Sequence, residues 1–132
     1  MSGTPMQVIG LSRVAMIVED EWLVRLEIAD TLEEAGWDIV EAASGEEALE
    51  MLPTLNHLDL LVTDIRLLGP FTGWDVAEAV RAARPAVGVI YASANPALET
   101  RQVDGSIFLG KPSRMADLVA VSEKLWNQAQ GR

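Results

Sequence analysis

Val14-Ala15-Met16-Ile17-Val18-Glu19-Asp20 decides how this chain is read: five apolar residues, then two carboxylates. A short, continuous apolar run suits a strand buried on both faces of a sheet. The pattern returns along the sequence. Asp64 follows Leu60-Leu61-Val62-Thr63, Ser93 follows Val87–Ala92, and Lys111-Pro112 follow Ile107-Phe108-Leu109-Gly110. With Trp37–Glu41, and with the later runs taken as Leu58–Thr63, Val87–Ala92 and Ser106–Leu109, five strands are predicted. Stretches of helical spacing lie between them. Glu21–Ala35 puts Val24, Ile28, Leu32 and Ala35 on one stripe, and Gly36 supplies the stop. Ser44 is an N-cap with Glu47 at capping-box spacing, and Pro53 ends that helix. Gly73–Arg84 turns Val76, Ala77, Val80 and Ala83 inward. Ser113–Gln130 has the best periodicity, through Met115, Leu118, Val119, Ser122, Leu125, Trp126 and Ala129. Asn95–Gln102 leaves room only for a short or irregular fourth helix.

Strand and helix alternate along the whole chain. That order predicts an α/β fold: a single doubly wound, five-stranded parallel sheet with helices on both faces. In such a sheet the C-terminal ends of the strands open on one edge, where ligands bind. Glu19, Asp20, Asp64, Ser93 and Lys111 would meet there. Together they offer carboxylates for a hard cation, a hydroxyl donor and an ammonium, which is what an aspartate needs to accept a phosphoryl group. Asp20 also stands where an N-cap would for a helix beginning at Glu21.

Composition narrows the field. The 132 residues make one domain, with residues 1–12 read as a flexible tail and 13–130 as the folded unit. There is no cysteine, which excludes disulfides, thiolate chemistry and cysteine zinc sites. No apolar run approaches the roughly 20 residues of a membrane span, and Met1–Ser12 does not read as a signal peptide. A cytoplasmic protein without membrane contact is expected. Asp and Glu number 20 against 10 Lys and Arg, a net charge of −10 that disfavours direct nucleic-acid binding.

Val18-Glu19-Asp20-Glu21, Val62-Thr63-Asp64, Ala92-Ser93-Ala94 and Lys111-Pro112 stand in the order found in the receiver domain of two-component response regulators. The chain resembles that family from Arg13 to Gln130. The separation of Asp20 from Asp64 is the family's usual one. The resemblance implies the flavodoxin-like strand order 2-1-3-4-5, for which a chemotaxis receiver is a standing example. It implies phosphorylation of Asp64, and Mg²⁺ held by Asp20, Asp64, Glu19 (mainly through water) and the backbone carbonyl of Arg66. Lys111 would reach a phosphoryl oxygen, Ser93 would bond the attached group, and Phe108 would turn inward as the switch aromatic. The domain would catalyse its own phosphorylation and dephosphorylation and turn over no separate substrate. Its partners would be a cognate histidine kinase or phosphotransfer protein, and a downstream protein of unknown identity; homodimerisation is left open.

The sequence departs from the family pattern in two places. Ser93 and Lys111 are closer together than usual by roughly four residues, about one helical turn. The loop after Asp64 carries Leu68-Gly69-Pro70 and is about one residue longer than usual. No DNA-binding output region follows, so a stand-alone receiver is expected. A pseudo-receiver used only as a phosphorylation-independent docking module remains the alternative. An aspartyl-phosphate phosphatase of the haloacid-dehalogenase type would want a second aspartate where Arg66 stands. A flavodoxin-type nucleotide binder would want a phosphate cradle where Glu19-Asp20-Glu21 stand.

Overall fold

The computed structural model describes residues 12–94, 101–110 and 115–131. Five strands form one parallel sheet in the order β2-β1-β3-β4-β5. They are β1 (Val14–Val18), β2 (Asp38–Ala42), β3 (Leu60–Thr63), β4 (Gly88–Ser93) and β5 (Ile107–Gly110). The helices are α1 (Trp22–Glu34), α2 (Gly45–Met51), α3 (Gly73–Ala83) and α4 (Met115–Ala129). Residues 1–11 of the expected tail (1–12) and 95–100 of the expected short helix (95–102) lie outside the described residues; Ser12 is described, and its hydroxyl donates to Asp38. Arg101 and Gln102 are described and are not helical.

The alternation of the strands sorts two apolar cores. Met16, Val18, Leu61, Val89 and Tyr91 pack with α2 and α3 on one face. Ala15, Ile17, Leu60, Val62, Ile90 and Ala92 pack with α1 and α4 on the other. Every residue of β3 and β4 is buried, as parallel strands covered on both faces should be. On α1 the stripe is Ile28, Ala29 and Leu32, and Gly36 follows with φ of +99°, the left-handed stop that glycine accepts without strain.

Several boundaries move by a residue or two. The second helix keeps Ser44 as its cap, with the hydroxyl accepting from the Glu47 N–H at 3.1 Å. The Glu47 carboxylate, however, reaches the N–H of Ala43 and not that of Ser44. Pro53 lies inside a single 3₁₀ turn, Leu52–Thr54, that follows α2. Ala83 and Ala129, expected inward, are exposed. At the end of the sheet away from the strand C-termini, the Arg13 guanidinium lies 4.3 Å from the ring of Trp37. It also pairs with Glu123 and bonds the carbonyl of Ala35. This ties the start of β1 to the end of α1 and to the middle of α4.

Candidate functional site

The site begins with two backbone bonds that prolong the ladder past the strands. The N–H of Glu19 donates to the carbonyl of Ala42 at 3.1 Å, and the N–H of Asp64 donates to that of Val18 at 3.0 Å. The first residues beyond β1 and β3 are thus fixed beside one another. One carboxylate oxygen from each of Glu19, Asp20 and Asp64 lies within 4.8 Å of the others. Three carboxylates this close repel by on the order of 3 kcal/mol per pair at an effective dielectric near 20. Oxygen-only, anionic donors suit a hard divalent cation. The donor set therefore fits the metal that the sequence implied.

Glu19 is 1% exposed, and its Oε2 accepts from the Glu21 N–H at 3.1 Å. Asp20 is not the helix cap. That position falls to Glu21, which makes no side-chain cap bond. The helix starts one residue later than expected, and Asp20 remains with the acidic group. Asp64 Oδ1 accepts from the Arg66 N–H at 3.3 Å, so the loop after β3 folds back on the carboxylate. Arg66 itself is exposed.

Ser93 ends β4, is 4% exposed and pairs in register with Gly110. Lys111, the next residue after Gly110, and Asn95 lie outside the described residues. Phe108 pairs in register with Tyr91 and is half-buried against the α2–α3 core. Trp22, exposed by 65%, opens α1 two residues after Asp20.

Sequence reasoning missed two features, one at the acidic group and one in the core. The first is Gly73. Its N–H donates to the carbonyl of Ile65 at 2.8 Å, and a Cβ added there would sit 2.0 Å from the carbonyl oxygen of Asp64. Helix α3 thus starts in contact with the Asp64 backbone. A glycine at a helix start, where Thr72 is already the cap, was the available signal. The second is Tyr91, fully buried, whose ring lies 4.8 Å from that of Trp74. Its hydroxyl accepts from the Val103 N–H at 3.2 Å, and burial pushes its pKa above the ordinary value.

A capping box holds α3 in place. Thr72 Oγ1 accepts from the Asp75 N–H, and Asp75 Oδ2 accepts from the Thr72 N–H. Arg101 bonds both Asp75 and Glu78. The Thr72 N–H first, and Arg101 second, hold the Asp75 carboxyl below its ordinary value of 3.8. The unfolded chain therefore binds a proton on Asp75 at a higher pH than the folded chain does. The stabilisation is complete well above 3.8 and fades as pH falls through the lower folded value. We expect Asp75→Asn to be less stable than the parent by a constant margin between pH 5 and 7. That margin should close as pH drops below about 4, as followed by urea unfolding.

Comparison with known proteins agrees with this geometry. The family model of the response regulator receiver domain matches residues 15–123. The crystal structure of a response regulator receiver protein from Sinorhizobium medicae is 34% identical, with a TM-score of 0.85; the match covers 90% of this chain and 98% of that one. The receiver domain of the hybrid histidine kinase CckA is 28% identical, with a TM-score of 0.74, covering 86% of this chain and 98% of that one. The transcriptional regulatory protein PdtaR of Mycobacterium tuberculosis is 32% identical over 115 residues, 84% of this chain but 55% of that protein. The chain thus spans about half the length of that curated relative. With a family model matched over most of its length and a sheet in the order 2-1-3-4-5, the chain belongs to the response regulator receiver domain family.

Proposed function

We propose that this receiver takes a phosphoryl group onto Asp64 and thereby switches a protein-binding surface. The observation that carries the reading is the meeting of Glu19, Asp20 and Asp64 in a chain of this family. A carboxylate oxygen of Asp64 attacks phosphorus, and the O–P bond forms as the donor's bond to phosphorus breaks in line with it. The electron pair leaves with the donor, an imidazole of a histidine kinase or phosphotransfer protein. Asp20, Glu19, Asp64 and the Arg66 carbonyl are the groups that would hold Mg²⁺. When bound, the ion neutralises charge between the carboxylates and the phosphoryl oxygens. Ser93 and Lys111 bond the attached group, and Phe108 moves with them. The reaction modifies the protein itself and turns over no separate substrate.

The donor's class is supported by the likeness to a CckA receiver; which kinase acts here, and what binds the switched surface, belong to the proposal. The charge of −10 argues for a protein partner over direct contact with nucleic acid. Among the described residues no helix is long and apolar enough to cross a membrane. A cytoplasmic setting, where kinase and donor would reach the site, is part of the same reading.

Intact mass after incubation with acetyl phosphate, with and without Mg²⁺, tests it. We expect a gain of about 80 Da, one phosphoryl group, that chelation abolishes. No gain under conditions that label a known receiver would favour the docking-module alternative.

A further inference from the structure

The side chain nearest in role to the acidic group that nothing above uses is Arg25. It lies in the first turn of α1 and is 18% exposed. Its Nη1 donates to the backbone carbonyl of Glu19 at 2.7 Å, and its Nε donates to Glu41 Oε1, on β2, at 3.1 Å. Its own N–H donates to the carbonyl of Glu21 at 2.9 Å, which anchors the residue in the helix.

The Glu19 carbonyl belongs to the peptide that joins Glu19 to Asp20. That unit is planar, so fixing its oxygen fixes the direction in which the chain enters Asp20. The other end of Glu19 is already fixed, through its N–H on Ala42 and its carboxylate on the Glu21 N–H. Arg25 supplies the remaining constraint. A guanidinium can hold a carbonyl and a carboxylate at the same time through separate N–H groups in one plane, which an ammonium on a flexible stem cannot do as rigidly. Glu41 orients that fork from the neighbouring strand.

Resting on the reading of the acidic group as a cation site, we infer that Arg25 is a positioning residue for it. It aims the Glu19 and Asp20 carboxylates at the same point as Asp64, with Glu41 as its support. The role is geometric, so retaining the positive charge does not preserve it.

The test is Mg²⁺ binding by the full chain, followed by calorimetry and by the fluorescence of exposed Trp22. The parent is compared with Arg25→Lys, Arg25→Ala and Glu41→Ala. We expect Arg25→Lys to weaken Mg²⁺ binding about tenfold, the lower end of what loss of an outer-shell partner costs. Arg25→Ala should weaken it at least as much, and Glu41→Ala less. Phosphoryl uptake by Arg25→Lys should return towards the parental rate when Mg²⁺ is raised to saturation, since only the binding step is affected. Arg25→Lys and Glu41→Ala leave most of the local packing in place and carry the test if Arg25→Ala does not fold. Parental affinity in Arg25→Lys would overturn the geometric role even if Arg25→Ala were weak, because charge alone would then explain the loss. A parent that binds no Mg²⁺ at all would overturn the inference together with the reading on which it rests.

Discussion

Asp64→Asn should take up no phosphoryl group. After incubation with Mg²⁺ and acetyl phosphate the parent should gain about 80 Da, and the variant should show at least a hundredfold less of that species. The amide has nearly the shape of the carboxylate, and its oxygen can still accept from the Arg66 N–H. What it lacks is the anionic oxygen that attacks phosphorus. The fold should be intact, with a melting temperature at or above that of the parent, because one of three mutually repelling charges has gone. Labelling of the variant at the parental level would move the acceptor to another residue, Asp20 being the first to examine.

Gly73→Ala should cost about 3 kcal/mol, at the upper end of what overpacking does, and lower the melting temperature by roughly 10 °C. The sign is the informative part. Alanine is the better helix former by up to about 1 kcal/mol, so local propensity alone predicts stabilisation. The structure predicts the reverse, because the new methyl would fall 2.0 Å from the Asp64 carbonyl and 2.7 Å from the Cα of Ile65. Neither atom belongs to a flexible side chain. Either α3 moves outwards or the backbone of Asp64 shifts, and the second outcome would slow phosphoryl uptake as well. A variant that melts at or above the parental temperature would show that this close approach is not a constraint.

Much of this was legible because burial on both faces leaves so plain a mark. Runs such as Val14–Val18 and Leu60–Thr63 have few alternatives to a central parallel strand, and the polar residues after them mark the open edge. The acidic group was readable for the same reason, since Glu19, Asp20 and Asp64 each sit directly beyond a strand. The added reading of Asp20 as an N-cap does not hold, because capping depends on a single-residue boundary and the helix starts one position later than expected. Gly73 and Arg25 were not legible as neighbours of the site, nor was the buried partner of Tyr91. Each owes its role to contact with a backbone atom distant in sequence or a turn away: the Asp64 carbonyl, the Val103 amide and the Glu19 carbonyl. Backbone atoms carry no residue-specific signal, so nothing in the letters marks which side chain will meet them.

The strand order has a consequence for where the molecule is stiff. The carboxylates follow β1 and β3, which have a hydrogen-bonded neighbour on each side, whereas β2 and β5 are edges paired on one side only. Local opening begins where fewest bonds must break, so the edges yield first and the centre last. Asp64, the acceptor proposed above, therefore follows a strand that is held by hydrogen bonds on both sides. Phe108 is carried by an edge strand, where an aromatic ring can change its packing without disturbing the centre. On the proposed function, the reaction and the response would thus fall to different strands of one sheet, an interior one and an edge one.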